Sequence, residues 1–340
     1  MSAPLRRIVV ADNPQAGNAS RRGVGAGVGR ALAGAGYEVE VVTRPDFASL
    51  RGEAAVRLAR GAEALVVVGG DGMVSLGLGL VAQTPIPLGI VPTGSGNDTA
   101  RALEIAHDDT DSAIRTLLEA LRLEPRVIDA GRVRQAGATT WFAGAVSAGF
   151  DAVVNERADS MRWVRGSARY TVALVRELAM LKPITYDLVV DGEARHLDAL
   201  LVAVSNGTSI GAGMRITPRA RLDDGELDLF VVAPMSRRAF LRVFPRVYSG
   251  THTELPVVTI ERVKKVRIEA EGIVARADGE RVGPLPVEID VVPGALRVLA
   301  PHAASVPLMP RATLGPETAP HGLITPSTYG ILDESRGPIV

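Results

Sequence analysis

The chain has 340 residues, 46% hydrophobic and 22% charged, with 38 Lys+Arg balanced by 38 Asp+Glu; this length and apolar fraction suit a pair of globular domains and exclude a disordered chain. A formal charge of zero argues against nucleic acid as the main partner, because phosphate backbones are bound by an excess of Lys and Arg that releases counterions. The absence of cysteine excludes disulfide frameworks, thiol nucleophiles and iron–sulfur ligation, and the five histidines (His107, His196, His252, His302, His321) lack zinc-site spacing.

Val/Ile-rich runs at 6–11, 39–43, 64–68 and 86–91 are apolar on both faces and predict buried parallel strands. Segments of helical length, rich in Ala, Leu and Arg, separate them at 20–35, 52–61 and 73–82, so this part predicts an open α/β sheet with helices on both sides. Gly23, Gly25, Gly27 and Gly29 each weaken the first helix by about 1 kcal/mol relative to Ala, and close packing on the sheet would account for them. After a charged helix over 110–123 the texture changes. Strand-like runs follow at 126–134, 140–146, 185–190, 197–205, 227–232, 257–260, 263–270, 273–277, 286–292 and 296–299. They predict a second, mainly antiparallel β-sandwich domain. Asp191-Gly192, Asp224-Gly225 and Asp278-Gly279 are its expected hairpin turns, and helical insertions near 164–181 and 236–244 interrupt it.

The expected division is an α/β domain over 1–125, a β-sandwich over 126–300 whose last strand can return to the first domain, and a flexible Pro-, Thr- and Gly-rich tail over 301–340. The apolar run before Asp12 is too short for a secretory signal, and the most apolar window, 64–82, is interrupted by Gly69-Gly70-Asp71-Gly72. The expectation is a cytoplasmic protein without a transmembrane helix.

Lysine occurs only at Lys182, Lys264 and Lys265, and none follows a glycine, which removes the Walker P-loop and the strand lysine of protein kinases. Phosphate, if handled here, falls to backbone amides and arginine. Three strand-to-helix turns are suited to that work: Asn13-Pro14-Gln15-Ala16-Gly17, Gly69-Gly70-Asp71-Gly72, and Pro92-Thr93-Gly94-Ser95-Gly96-Asn97-Asp98. In a parallel sheet they converge at the carboxyl edge, where glycine lets amides approach an anion and helix starts add partial positive charge. Each turn taken singly also reads as punctuation: a tight turn, a helix cap at Asn97-Asp98, a turn starter at Asn13-Pro14. Three at successive strand ends point to the phosphates of a nucleotide. The run Gly23 to Gly29 does not match the dinucleotide fingerprint and begins too far from the strand.

The order NPQAG, VVVGGDGMVS, PLGIVPTGSGNDTARAL resembles the catalytic domain of the diacylglycerol kinase and sphingosine kinase family. The likeness continues through Ala148-Gly149-Phe150-Asp151-Ala152, Asn206-Gly207 with Gly211-Ala212-Gly213, PRARLDDGELD from Pro218 to Asp228, and Ala277-Asp278-Gly279-Glu280, covering roughly 6–300. The resemblance implies an α/β nucleotide domain related to NAD kinases and phosphofructokinases, a β-sandwich, and ATP in the cleft between them. It implies contacts to ATP from Asn13, Pro14, Gln15, Ala16, Gly17, Thr43, Gly69, Gly70, Asp71, Gly72, Met73, Val74, Ser75 and Ser95, with Asp71 ordering phosphates and magnesium. Glu280 would take the proton of a lipid hydroxyl, and a structural magnesium would lie at the Arg221 and Glu226 carbonyls and the Asp224 carboxylate. Met73 and Ala16 stand where the family usually carries threonine and serine, Asp223 competes with Asp224 as a metal ligand, and Asp-Gly-Glu recurs at 191–193, 224–226 and 278–280, where its plain reading is a hairpin.

The implied activity is ATP-dependent phosphorylation of a lipid hydroxyl, with diacylglycerol the expected acceptor, at the inner membrane face. The partner is a lipid surface rather than nucleic acid, and a homodimer is left open. Two basic, amphipathic segments, Met161 to Lys182 and Ser236 to Val247, suit transient membrane contact or, equally, ordinary packing with a solvated arginine face. The alternatives are an NAD kinase-like enzyme and a nucleotide- or lipid-binding protein without catalysis.

Overall fold

The computed structural model describes residues 7–13, 23–149, 182–211 and 213–302. The predicted helix at 164–181, the basic segment beginning at Met161 and nearly all of the predicted tail lie outside them.

Strands β1 (Arg7–Asp12), β2 (Glu38–Thr43), β3 (Ala64–Gly69) and β4 (Leu88–Pro92) are parallel, in the order β2-β1-β3-β4. Their unbroken apolar character follows from two covered faces. Ile8, Val10 and Val66 pack with Val28 and Leu32 of α1 (Val24–Gly34) and Leu117 of α5 (Thr110–Ala120), while Val9, Leu65 and Val67 pack with Leu50 of α2 (Phe47–Ala59) and Leu78 of α3 (Asp71–Val81). Two of the α1 glycines are required by that packing: a Cβ on Gly29 would lie 2.7 Å from Val41, and one on Gly25 would strike the Asp12 carboxyl group. Helix α2 begins five residues before the predicted segment because Asp46 caps it, accepting from the Ser49 amide at 2.8 Å.

Beyond the short α4 (Asp98–Ala102), two long strands carry the chain out of this sheet and back. β5 (Arg126–Gln135) pairs antiparallel with β16 (Val287–Leu299), and β16 also pairs parallel with β4 and antiparallel with β13 (Lys265–Glu269). A ten-stranded sheet results, extended by β8 (Ile184–Val190) and β9 (Glu193–Ala199), with β6 (Ala138–Phe142) on β5. Against it lies a six-stranded antiparallel sheet of β12 (Val258–Val263), β11 (Leu227–Val232), β10 (Leu201–Ser205), β7 (Ala145–Gly149), β14 (Val274–Ala277) and β15 (Glu280–Pro284). Phe142, Tyr186, Ile268 and Ile289 from the first meet Val146, Val202, Val204 and Leu229 from the second. The outer face of the six-stranded sheet is covered by α6 (Arg237–Val243) and α7 (Arg246–Ser249) through Phe240 and Val247.

Several predicted strands change sheet midway. The run 140–146 breaks at Ala143-Gly144, 197–205 at Leu200, and the β12–β13 boundary falls at Lys264. Asp191-Gly192 and Asp278-Gly279 form two-residue hairpins with both residues at positive φ, but Asp224-Gly225 joins no adjacent strands; it precedes β11, and its Gly225 amide donates to Asp129 at 2.7 Å. Among the described residues no helix is long and apolar enough to cross a membrane.

Candidate active site

Because β1, β3 and β4 are parallel, the turns after β3 and β4 share one edge with Asn13 at the end of β1. The turns after β3 and β4 are in direct backbone contact. A Cβ on Gly94 would overlap the Gly70 Cα, one on Gly70 would lie 3.0 Å from the Gly94 Cα, and the Thr93 amide donates to the Gly69 carbonyl at 2.8 Å. Asp71 ties the same turns together: its carboxylate accepts from the Asn97 and Asp98 amides, each at 2.9 Å, and Gly96 lacks the Cβ that would stand 2.5 Å from it. Burial, and after it the charge of Asp98, pushes the Asp71 carboxyl above its ordinary range. Asp71 therefore organises the cradle through the backbone of the neighbouring turn.

Asn97 does not cap α4 with its side chain. It adopts left-handed backbone (φ 55) and closes its own turn, accepting from the Gly94 amide and donating to the Gly94 carbonyl, each at 3.0 Å. The loop so formed keeps Ser95 exposed at its tip. Helix α3 starts at Asp71, so the amides of Asp71 and Gly72 come too early to have intrahelical carbonyl partners. The amides of Met73 and Val74 already donate to the Gly70 carbonyl, at 2.9 and 3.2 Å, and both side chains are buried in the core. These two residues therefore support α3 from the core. Met73 packs over Gly69, where a Cβ would collide with it, so an apolar side chain in place of the family's threonine fits the site locally. Ser75 is half-buried on α3, Asn13 is buried at the end of β1, and Thr43 is exposed at the end of β2, opposite Asp12. Pro14, Gln15, Ala16 and Gly17 lie outside the described residues, as do Phe150, Asp151, Ala152 and Ala212.

The six-stranded sheet brings an acid to this rim. Glu280, the first residue of β15, stands so close to α3 that a Cβ on Gly72 would lie 2.8 Å from its Oε1. The tripeptide occurs three times in the chain, yet only this copy meets the Gly-Gly-Asp-Gly turn. Asp278, two residues earlier, accepts from the amides of Ala143, Gly144 and Ala145 at 3.0, 3.0 and 2.9 Å. Desolvation of its carboxyl group outweighs those amides and, with the charge of Asp71 adding to it, pushes the group up to about 7. Sequence spacing held no sign of this clamp, because its partners lie more than a hundred residues away. A second tie joins the two parts of the site, where Asp98 accepts from the Gly213 amide at 2.8 Å.

At the expected structural magnesium site the side chains are engaged in ion pairs. Asp224 pairs with Arg262 at 2.9 Å, Glu226 pairs with the same guanidinium at 3.0 Å, and Arg221 turns to Asp223 at 3.3 Å. Arg262 already supplies the positive charge between the two carboxylates, and among the described residues no three or more His, Cys, Asp or Glu are grouped to hold a metal.

An α/β sheet whose glycine turns are met by an acid from a β-sandwich is the architecture of the site. Residues 7–133 match the diacylglycerol kinase catalytic domain, and residues 144–300 match the YegS C-terminal NAD kinase beta sandwich-like domain. A diacylglycerol kinase of Mycobacterium tuberculosis is 37% identical over 300 residues, covering 88% of this chain and 96% of the relative. One of Staphylococcus aureus is 25% identical over 272 residues, covering 79% and 84%. A crystal structure of a diacylglycerol kinase from Bacillus anthracis superimposes with a TM-score of 0.66 at 18% identity, covering 89% of this chain and 99% of that one, which shows a shared fold. The chain belongs to the diacylglycerol kinase catalytic-domain family and is a lipid kinase.

Proposed function

We propose that this lipid kinase uses ATP to phosphorylate the hydroxyl of diacylglycerol, giving phosphatidic acid. The observation that carries the reading is the approach of the Glu280 carboxylate to Gly72 at the start of α3. The polyphosphate lies on the amides of the Gly70–Gly72 and Ser95–Gly96 turns, a low-charge substitute for the lysine of a P-loop. Glu280 accepts the hydroxyl proton as that oxygen bonds to the γ-phosphorus and the bond to the β-phosphate oxygen breaks, releasing ADP. Magnesium, when it accompanies the nucleotide, neutralises charge on the phosphates.

A small apolar cleft between the six-stranded sheet and α6–α7, lined by Leu201, Ile210, Met214, Phe230, Phe240 and Phe244, supports an apolar contact on this face. Arg237, Arg238 and Arg242 on α6 surround Leu241, which is 55% exposed, and this basic, apolar face supports transient contact with an anionic membrane at about 1 kcal/mol per charge. Incubation with γ-³²P-labelled ATP and separate preparations of diacylglycerol, monoacylglycerol and sphingosine vesicles, and of NAD, tests the reading. Label is expected on diacylglycerol. Label on NAD alone, or on no acceptor while ATP is bound, overturns it.

A further inference from the structure

Glu280 follows directly on a two-residue turn, Asp278-Gly279, whose residues have φ of 47° and 82°. Such a turn needs only residues that tolerate positive φ. This one is held from both sides. The Asp278 carboxylate accepts three successive amides, Ala143 to Ala145, and its own amide donates to the Ala145 carbonyl at 2.9 Å. From the other side, Arg276 donates through Nε to the Gly279 carbonyl at 2.9 Å, from a position that is only 7% exposed. The clamped segment is itself fixed, since the Gly144 carbonyl accepts from the Asn206 and Gly207 amides at 2.7 and 2.9 Å. Gly144 leaves the room required, because a Cβ there would stand 2.6 Å from Asp278 Oδ1.

We propose that Asp278 is a positioning residue: its three-amide clamp on the segment between β6 and β7 fixes the hairpin so that the Glu280 carboxylate stands at Gly72. The proposal rests on the reading of Glu280 as the base. A carboxylate that must meet a hydroxyl proton within hydrogen-bond reach loses rate steeply when displaced by about 1 Å, on the order of 100-fold. Asparagine at 278 keeps the shape and the positive φ but turns one acceptor into a donor that faces the amides of 143–145.

The chain contains its own control. Asp191, at the β8–β9 hairpin, accepts from the Lys264 and Lys265 amides at 3.0 and 2.7 Å, a similar clamp on a hairpin that carries none of the candidate site residues. Lipid phosphorylation by the full chain is measured for Asp278→Asn, Asp191→Asn, Arg276→Lys and Glu280→Gln, together with unfolding midpoints. Asp278→Asn is expected to lower kcat about 10- to 100-fold with KM for ATP within about twofold, whereas Asp191→Asn lowers the unfolding midpoint and leaves kcat alone. A kcat for Asp278→Asn within about twofold of the parent, or an effect confined to KM for ATP, overturns the proposal. If Asp278→Asn does not fold, Arg276→Lys decides: a lowered kcat at unchanged KM supports the clamp and an unchanged kcat refutes it. Should Glu280→Gln retain the parent's kcat, the reading of Glu280 fails; a dead Glu280→Gln beside a normal Asp278→Asn sinks the positioning role alone.

Discussion

Gly70 and Gly94 touch backbone to backbone, and this contact limits what the cradle tolerates. A methyl group at position 94 meets main chain that cannot rotate away, so Gly94→Ala is expected to destabilise the fold by about 1–3 kcal/mol and to weaken ATP binding, as read by urea unfolding and calorimetric titration. Gly27, on α1, has no atom closer to a Cβ than Arg30 at 4.0 Å, so Gly27→Ala is expected to stabilise by up to about 1 kcal/mol in the same unfolding assay. The sequence exposes Gly70, Gly94 and Gly96 as turn-formers at the ends of parallel strands. It does not expose why each glycine is needed. Gly70 answers to Gly94, Gly96 to Asp71, Gly144 to Asp278, and these pairings depend on contacts across 24 residues or more that no local spacing records.

At the level of elements, β16 matters most because it joins the parallel strands to the sandwich. Its Leu296 is wholly buried and pairs with Ile128 of β5. Leu296→Ala is expected to cost about 2–5 kcal/mol in urea unfolding. The chain reads as two strands at 286–292 and 296–299 because Pro293-Gly294 interrupts the apolar run; the structure makes them one strand with a register shift between Val292 and Leu296, the Gly294 amide being held by Asp129 at 2.8 Å. The opposite error, reading 140–146 and 197–205 as single strands, has the same root. Apolar alternation reports burial, and a strand that passes from one sheet to the other stays buried throughout. Boundaries fixed by side-chain caps, such as Asp46 before α2, lie outside any periodicity.

For the molecule as a whole, the six-stranded sheet and its covering helices meet at His252, which is buried against the edge of Phe230 and hydrogen-bonded to the Ile216 carbonyl. Burial holds its imidazole below the ordinary histidine range. Below about pH 6.5 the unfolded chain therefore binds a proton that the folded chain resists, and this contribution to stability, present above that pH, is lost as pH falls. His252→Phe is expected to narrow the difference in melting temperature between pH 7.5 and pH 5.5, measured by circular dichroism; an unchanged difference contradicts it.

The proposed transfer depends on one encounter, in which an acid from the sandwich meets the start of α3, the proposed seat of the nucleotide's phosphates. Single-turnover transfer from γ-labelled ATP to diacylglycerol vesicles, compared between the parent and Glu280→Gln, tests it most directly. The expected result is a rate reduced on the order of 100- to 10,000-fold with the dissociation constant for ATP within about threefold of the parent. An undiminished rate would contradict the account.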